Sequence, residues 1–526
     1  MSTLAQPRST AGRHLGVRPL AAAPRRLLLA ALAPAAAAVA LVLLMPRGPL
    51  TAGQALAAMG FGLVAGAVAG VVLRSRWALL LAPAVVAVAF ELRWLWLDGP
   101  TVDSPRLDSA YGVLALLLGR GFVGLVCLAP ALLGAALGAA AMRRQLEAEG
   151  PRRLRATIGL YARRTVTVLA AGGLAALALL LTRPGTTPPI TGPDGEPVAG
   201  SIAELERVTL GGVEQWISIR GHSIEKPVLL YLHGGPGQSG LPFTRLLFAE
   251  LERDFVVVDW DQRGTGKSHA ALEPTSSYTL DRIVADTIDL SHYLTHRFDE
   301  RKIYLAGTSW GSTLGVLAAQ RRPDLYHAFI GGGQMVSQRE TDVRIYRGLL
   351  EHARATGDGE LARRLRELGE PPYDDVFANA FVMQHYQVLE PEYTFTNHVQ
   401  RIEDEHAGEI GPWGVFGREY DLVEKVNVLR GLIETFAVVY PQLQELDFRR
   451  DVLRLDVPVY LVRGTSELAA RDDLAVEWFE ALEAPAKRMV TYDHAGHAVL
   501  TERPERLREL LTRFVIPQTY DREEAR

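Results

Sequence analysis

A single cysteine, Cys127, stands among 526 residues, and it falls inside an apolar run. No intrachain disulfide can form, and cysteine usage does not report the compartment. Neither charge is in excess: 56 Lys and Arg face 60 Asp and Glu, a formal net charge of -4. That removes the electrostatic case for a nucleic-acid partner. Residues 261–268 form a glycine-rich loop, Asp-Gln-Arg-Gly-Thr-Gly-Lys-Ser, without the G-x-x-x-x-G-K-[ST] spacing of a phosphate loop. No metal-ligand cluster or cofactor fingerprint occurs, so neither group is expected, and no oligomeric state is implied.

Charge is scarce in the first 182 residues. Five apolar runs, 27–45, 52–73, 77–97, 121–142 and 165–182, are each long enough to cross a bilayer as a helix. A cleaved leader would account for the first run only. Arg8, Arg13, Arg18, Arg25 and Arg26 precede the first run without an acid, and Arg74 and Arg76 follow the second. Arg143, Arg144, Arg152, Arg153, Arg155, Arg163 and Arg164 lie between the fourth and fifth, against Glu147 and Glu149. The opposite loop holds Asp98, Asp103 and Asp108 against Arg106, and Arg47 is the one basic residue that disagrees. The distribution predicts a cytoplasmic N-terminal segment, 1–26, and a multi-pass membrane anchor, 27–182. The C-terminal domain is then extracytoplasmic. Residues 110–119 are expected along the outer interface, with Glu91 and Arg93 snorkelling from the end of the third run. Residues 183–201, with five prolines, read as a stiff linker.

Beyond residue 201 the composition is that of a globular domain. Residues 205–210 and 213–219 flank Gly211-Gly212, the pattern of a hairpin. Strand-like runs at 227–233, 255–260, 303–308, 328–332, 457–462 and 488–492 alternate with helical patterns. This predicts a mostly parallel sheet with helices on both faces, its ligands beyond the carboxyl ends of the strands. The core divides into 202–333 and 453–516 around an all-helical lid, 334–452, with a charged tail at 517–526.

The chemistry centres on Ala306-Gly307-Thr308-Ser309-Trp310-Gly311-Ser312, directly after the apolar Ile303-Tyr304-Leu305. G-x-S-x-G between a strand and a helix lifts the serine hydroxyl clear of the sheet. A serine is a weak nucleophile until a base reaches it. His497, in Ala495-Gly496-His497-Ala498 after the last strand, is the expected base, with His494 as the competitor. The orienting acid should follow the strand at 457–462. Glu467 is chosen there, with Asp472 and Asp473 as alternatives. His233-Gly234-Gly235-Pro236-Gly237 follows another strand. Its bare glycines can aim N–H groups at a developing oxyanion. The expected donors are the N–H of Gly235, with Gly234 as the near alternative, and that of Trp310.

Together these stretches resemble the α/β-hydrolase superfamily, and within it the proline iminopeptidase group of serine aminopeptidases. The likeness rests on H-G-G-P-G at His233, D-Q-R-G-x-G-x-S at 261–268, G-x-S-W-G-S at 307–312 and Gly496-His497. It covers about 205–514 and none of the apolar third. It implies a Ser309, acid, His497 triad and release of an N-terminal residue from short peptides or amides. Two departures stand out. The acid position carries Glu467 in G-T-S-E, where the group has Asp in G-R-x-D. The group's W-x-x-W-E lid stretch, whose carboxylates bind the substrate amine, has only a poor counterpart at 412–419. The alternatives are a membrane-associated esterase or lipase, favoured by the adjoining bilayer, and an inactive sensor with a hydrolase fold.

Overall fold

The computed structural model describes residues 23–146, 154–390 and 414–520. Residues 1–22, the acids Glu147 and Glu149, and Pro412 and Trp413 of the lid candidate lie outside the described residues. Two compact units divide the chain.

The first unit comprises Met1–Pro46, Ala57–Arg93 and Gly124–Ala175. Its helices are α1 (Ala23–Leu44), most of α2 (Ala52–Leu73) and α3 (Ala78–Trp94), α5 (Ala129–Leu146) and most of α6 (Leu154–Leu181). Small residues set the α2–α5 contact. A Cβ on Gly66 would sit 1.9 Å from the Ala131 carbonyl oxygen, and one on Gly134 would sit 2.0 Å from that of Leu63. The two backbones therefore touch, as small residues permit in an apolar medium.

Where the sequence counts five spans, four helices among the described residues are long and apolar enough to cross a membrane: Pro24–Leu44, Ala52–Leu73, Ala110–Arg143 and Ile158–Leu181. The shortfall is α3, a 17-residue helix that ends among Glu91, Arg93 and Trp94. Residues 110–119 also differ from expectation. They form no separate helix, because α4 (Ala110–Leu116) continues through π turns at Leu117–Gly121 and Gly124–Leu128 into α5.

The second unit comprises Arg47–Leu56, Trp94–Val123 and Ala176–Arg526. Residues 47–56, 94–123 and 176–182 of the apolar third therefore belong to the same unit as the globular domain. Its sheet has eight strands in the order β1-β2-β4-β3-β5-β6-β7-β8. They are β1 (Ile202–Leu210), β2 (Val213–Gly221), β3 (Val228–Leu232), β4 (Val256–Asp261), β5 (Ile303–Thr308), β6 (Tyr326–Gly332), β7 (Val459–Gly464) and β8 (Lys487–Tyr492). The β1–β2 and β2–β4 pairs are antiparallel, and all later pairs are parallel. Gly211 and Gly212 both take positive φ, 55° and 79°, as a tight hairpin turn requires.

Alternate residues of each parallel strand enter two cores. Leu230, Leu232, Val258 and Leu305 face one, and Leu229, Tyr231, Val257 and Tyr304 face the other. A sheet buried on both faces needs such unbroken apolar runs. Between β6 and β7 the described residues hold helices and no named strand. They are α10 (Gln338–Thr356), α11 (Gly359–Leu368), α12 (Val376–His385) and α13 (Leu422–Val439), after α7 (Leu241–Leu247), α8 (Leu280–Phe298) and α9 (Trp310–Arg321).

Candidate active site

Because β3 to β8 run parallel, their carboxyl ends share one edge. Gln262, His233, Ser309, Gly333, Glu467 and His497 all follow those ends. Ser309 has φ 56° and ψ -122°, a strained conformation for an L residue that persists only when its surroundings impose it. Its N–H donates to the Gly332 carbonyl at 3.1 Å. Its carbonyl accepts from the Ser312 hydroxyl at 2.6 Å. Glycine flanks are obligatory here. A Cβ on Gly311 would lie 2.0 Å from the Leu232 carbonyl oxygen, and one on Gly307 would lie 2.3 Å from that of Gly311.

His497 Nδ1 lies 2.7 Å from Glu467 Oε2. The other carboxylate oxygen accepts from the Leu468 N–H and from Arg471 Nε, both at 2.8 Å. Burial would push the Glu467 carboxyl up, but His497 and Arg471 outweigh it and hold the group down at about 2. Ser309 and His497 each border one of two consecutive glycines. Gly332 receives the Ser309 N–H, while a Cβ on Gly333 (φ 52°) would stand 2.3 Å from the His497 carbonyl oxygen and 2.9 Å from Nδ1.

The other candidates lie elsewhere. Asp472 pairs with Arg463, and Asp473 is 63% exposed beside Arg344. His494 is exposed, at φ 54°, with its N–H on the Thr465 hydroxyl.

Gly234 packs on the nucleophile turn, where a Cβ would be 3.3 Å from that of Ser309. Gly235 takes φ 118°. The His233 ring points away into the core, its Nε2 2.9 Å from Asp259 Oδ1 and 3.2 Å from the Thr244 hydroxyl. Burial opposes the imidazolium there, and Asp259 more than offsets it, so the His233 pKa is raised.

Sequence reasoning passed over several residues that hold these pieces. Gln262 joins both sides of the serine: its Oε1 accepts from Trp310 Nε1 at 2.9 Å, and its Nε2 donates to the His233 carbonyl at 3.3 Å. Glu502 accepts the N–H groups of Gly496 and Ala498, at 2.9 and 3.2 Å, and so braces the His497 loop. A carboxylate five residues after the G-H pair was the available signal for Glu502. Arg263, expected from its loop to shape the site, is fully buried against Asp286 of α8, 2.7 Å away, and donates to the Leu210 carbonyl of β1 at 3.3 Å.

The family model described as alpha/beta hydrolase fold matches residues 227–504. The protein named Probable aminopeptidase YbaC from Bacillus subtilis (strain 168) is 29% identical over 321 residues, covering 60% of this chain and 98% of its own. A proline iminopeptidase from Lactobacillus crispatus (strain ST1) is 36% identical over 107 residues, 20% of this chain and 35% of its own. Among solved structures, a proline iminopeptidase-related protein from Thermus thermophilus is similar at 20% identity and a TM-score of 0.42, covering 60% of this chain and 98% of its own. The chain belongs to the α/β-hydrolase family, in its proline iminopeptidase-like group.

Proposed function

We propose that the protein is a membrane-anchored serine aminopeptidase that releases N-terminal residues from short peptides. Ser309 is the nucleophile, His497 the base, Glu467 the orienting acid, and the N–H groups of Gly235 and Trp310 the oxyanion donors. The reading is carried by one observation: a buried carboxylate 2.7 Å from His497 Nδ1, with Ser309 and His497 both set against the Gly332-Gly333 pair. Glu467 fixes the tautomer that keeps Nδ1 protonated and leaves Nε2 as acceptor. Nε2 takes the hydroxyl proton as Ser309 Oγ attacks the peptide carbonyl, and the oxyanion forms under the amide donors. Imidazolium gives that proton to the leaving amine, which departs and leaves the acyl-serine. Water, deprotonated by the same nitrogen, then frees the acid and restores the serine.

A fluorophosphonate probe should label the purified full-length protein and not Ser309→Ala. An unlabelled wild type would refute the assignment. Turnover of proline naphthylamide against short-chain nitrophenyl esters tests the substrate class, and hydrolysis of the esters alone would replace peptidase with esterase.

The anchor reading has support from chain connectivity. Residues 47–56, 94–123 and 176–526 share one compact unit, and an even number of crossings between consecutive stretches would keep that unit on one side of a membrane. Two crossings, by α2 and α3, fit the first interval. Two more, by the helix through α5 and by α6, fit the second. With α1 this makes five, and α3, about 26 Å long at 1.5 Å per residue, is counted as a crossing. Protease added outside intact cells should then digest the catalytic domain, and its protection would reverse the orientation.

A further inference from the structure

Helix α13 presents two faces, and each is used. Asn427, Arg430 and Glu434 share one face by their spacing. Asn427 Nδ2 donates to the Leu50 carbonyl at 2.8 Å. Arg430 donates to the Leu118 carbonyl from Nε and Nη2, at 2.9 and 2.6 Å, and to the Pro49 carbonyl from Nη1 at 3.0 Å. The Glu434 carboxylate meets Arg47 Nη1 at 3.1 Å and the Thr101 hydroxyl, and His269 Nε2 lies 3.3 Å away. Side-chain exposure is 2% for Arg47 and 1% for Glu434. A buried ion pair of this kind adds little net stability, but losing one partner strands a charge.

The second face supports the catalytic edge. Thr435 Oγ1 donates to the Gly264 carbonyl at 3.1 Å, which His269 Nδ1 also meets at 2.9 Å. Gly237 (φ 101°) closes on the helix so tightly that a Cβ would lie 2.5 Å from the Gly431 carbonyl oxygen. Two residues before Gly264, Gln262 holds Trp310 and the His233 carbonyl. An unbroken series of contacts thus runs from Arg47 and Thr101 to both oxyanion segments.

We propose that Arg47 and Thr101, in segments between the apolar N-terminal helices, are positioning residues for the oxyanion side of the active site and act through Glu434. The N-terminal third is then a working part of the enzyme as well as its anchor. This rests on the assignment of Gly235 and Trp310 as oxyanion donors. Coupling through a contact network needs direct evidence, and a double-mutant cycle in the full-length, detergent-solubilised protein supplies it. Arg47→Met should lower kcat on an amide substrate about tenfold with KM within about twofold, because transition-state stabilisation is lost without loss of ground-state binding. Arg47→Lys should recover part of that. Arg47→Met combined with Glu434→Gln should return kcat to within about threefold of wild type, since no buried charge is stranded, and Glu273, the other partner of Arg47, is 29% exposed and stays solvated. Hydrogen exchange at 233–240 and 422–439 should rise in Arg47→Met and fall back in the double variant. Unchanged kcat and exchange in Arg47→Met, an effect on KM alone, or additive losses in the double variant would each overturn the proposal. Should Arg47→Met fail to fold, Thr101→Val carries the test, and wild-type kcat and exchange there would overturn it equally. A wild type that neither labels nor turns over would remove the hydrolase reading, and the exchange comparison would still decide whether Arg47 holds these segments.

Discussion

Glu467 reaches His497 across 30 positions of sequence with a contact of 2.7 Å, and Arg471 grips the opposite oxygen of the same carboxylate at 2.8 Å. The acid is therefore held from both sides, and this arrangement determines what its replacement should do. Glu467→Gln keeps the shape and removes the charge that, in the proposed triad, selects the tautomer of His497. We expect kcat to fall by about 10³-fold or more with the fold intact. Asp473→Asn, on an exposed residue, should change kcat by less than about twofold. Steady-state kinetics on an amide substrate checks both, and equal losses in the two variants would move the acid away from Glu467.

Arg471 predicts a pH effect. The Glu467 carboxyl sits at about 2 because His497 and Arg471 overcome the cost of burial. Its charge contributes stability that is fully present above the ordinary 4.5 and is lost as pH falls through the folded value. Arg471→Met removes one of the two partners that hold the Glu467 carboxyl down, so it should protonate at higher pH. The acid limb of the kcat/KM profile should shift upward, with Arg471→Lys between the variant and wild type. An unshifted limb would make Arg471 a packing residue only.

How far the sequence disclosed this site depends on range. The strand ends were legible because apolar runs such as Val228–Leu232 are local patterns. The serine turn was legible because its geometry demands Gly307 and Gly311 within four residues. Helix α12 (Val376–His385) was missed, since its apolar residues lack a clear one-sided period. The role of Arg47 was illegible. Its positive charge looked like an exception to the loop bias, and the reason for it, Glu434, lies 387 positions away. Charge counts within a loop cannot register a partner supplied by a distant helix, α13.

Asp261 offers a test with the opposite sign. It is buried with the Tyr420 hydroxyl at 3.1 Å and the Lys267 N–H at 2.8 Å, and burial pushes its carboxyl up to about 7. A folded pKa above the unfolded one stabilises at low pH, and that contribution is lost as pH rises through about 7. Wild-type melting temperature should fall by a few degrees between one pH unit below that value and one above it. Asp261→Asn can accept from Lys267 and donate to Tyr420, so its melting temperature should change less over the same interval. A parallel fall in both proteins would assign the pH dependence to other groups.

Two glycines on α2 separate helix propensity from packing. Gly60 is exposed, and a Cβ there would meet nothing within 4 Å. Gly66, on the same helix, would drive its Cβ to 1.9 Å from the Ala131 carbonyl oxygen. Alanine is the better helix former by about 1 kcal/mol in water, so propensity alone predicts that both substitutions stabilise. Packing predicts a difference in sign: inserting a methyl group against rigid backbone costs about 1–3 kcal/mol, because α5 must move away along its length. Gly60→Ala should therefore leave the thermal stability of the detergent-solubilised protein unchanged or slightly raised, and Gly66→Ala should lower it. Equal effects would mean that α2 and α5 do not meet backbone to backbone.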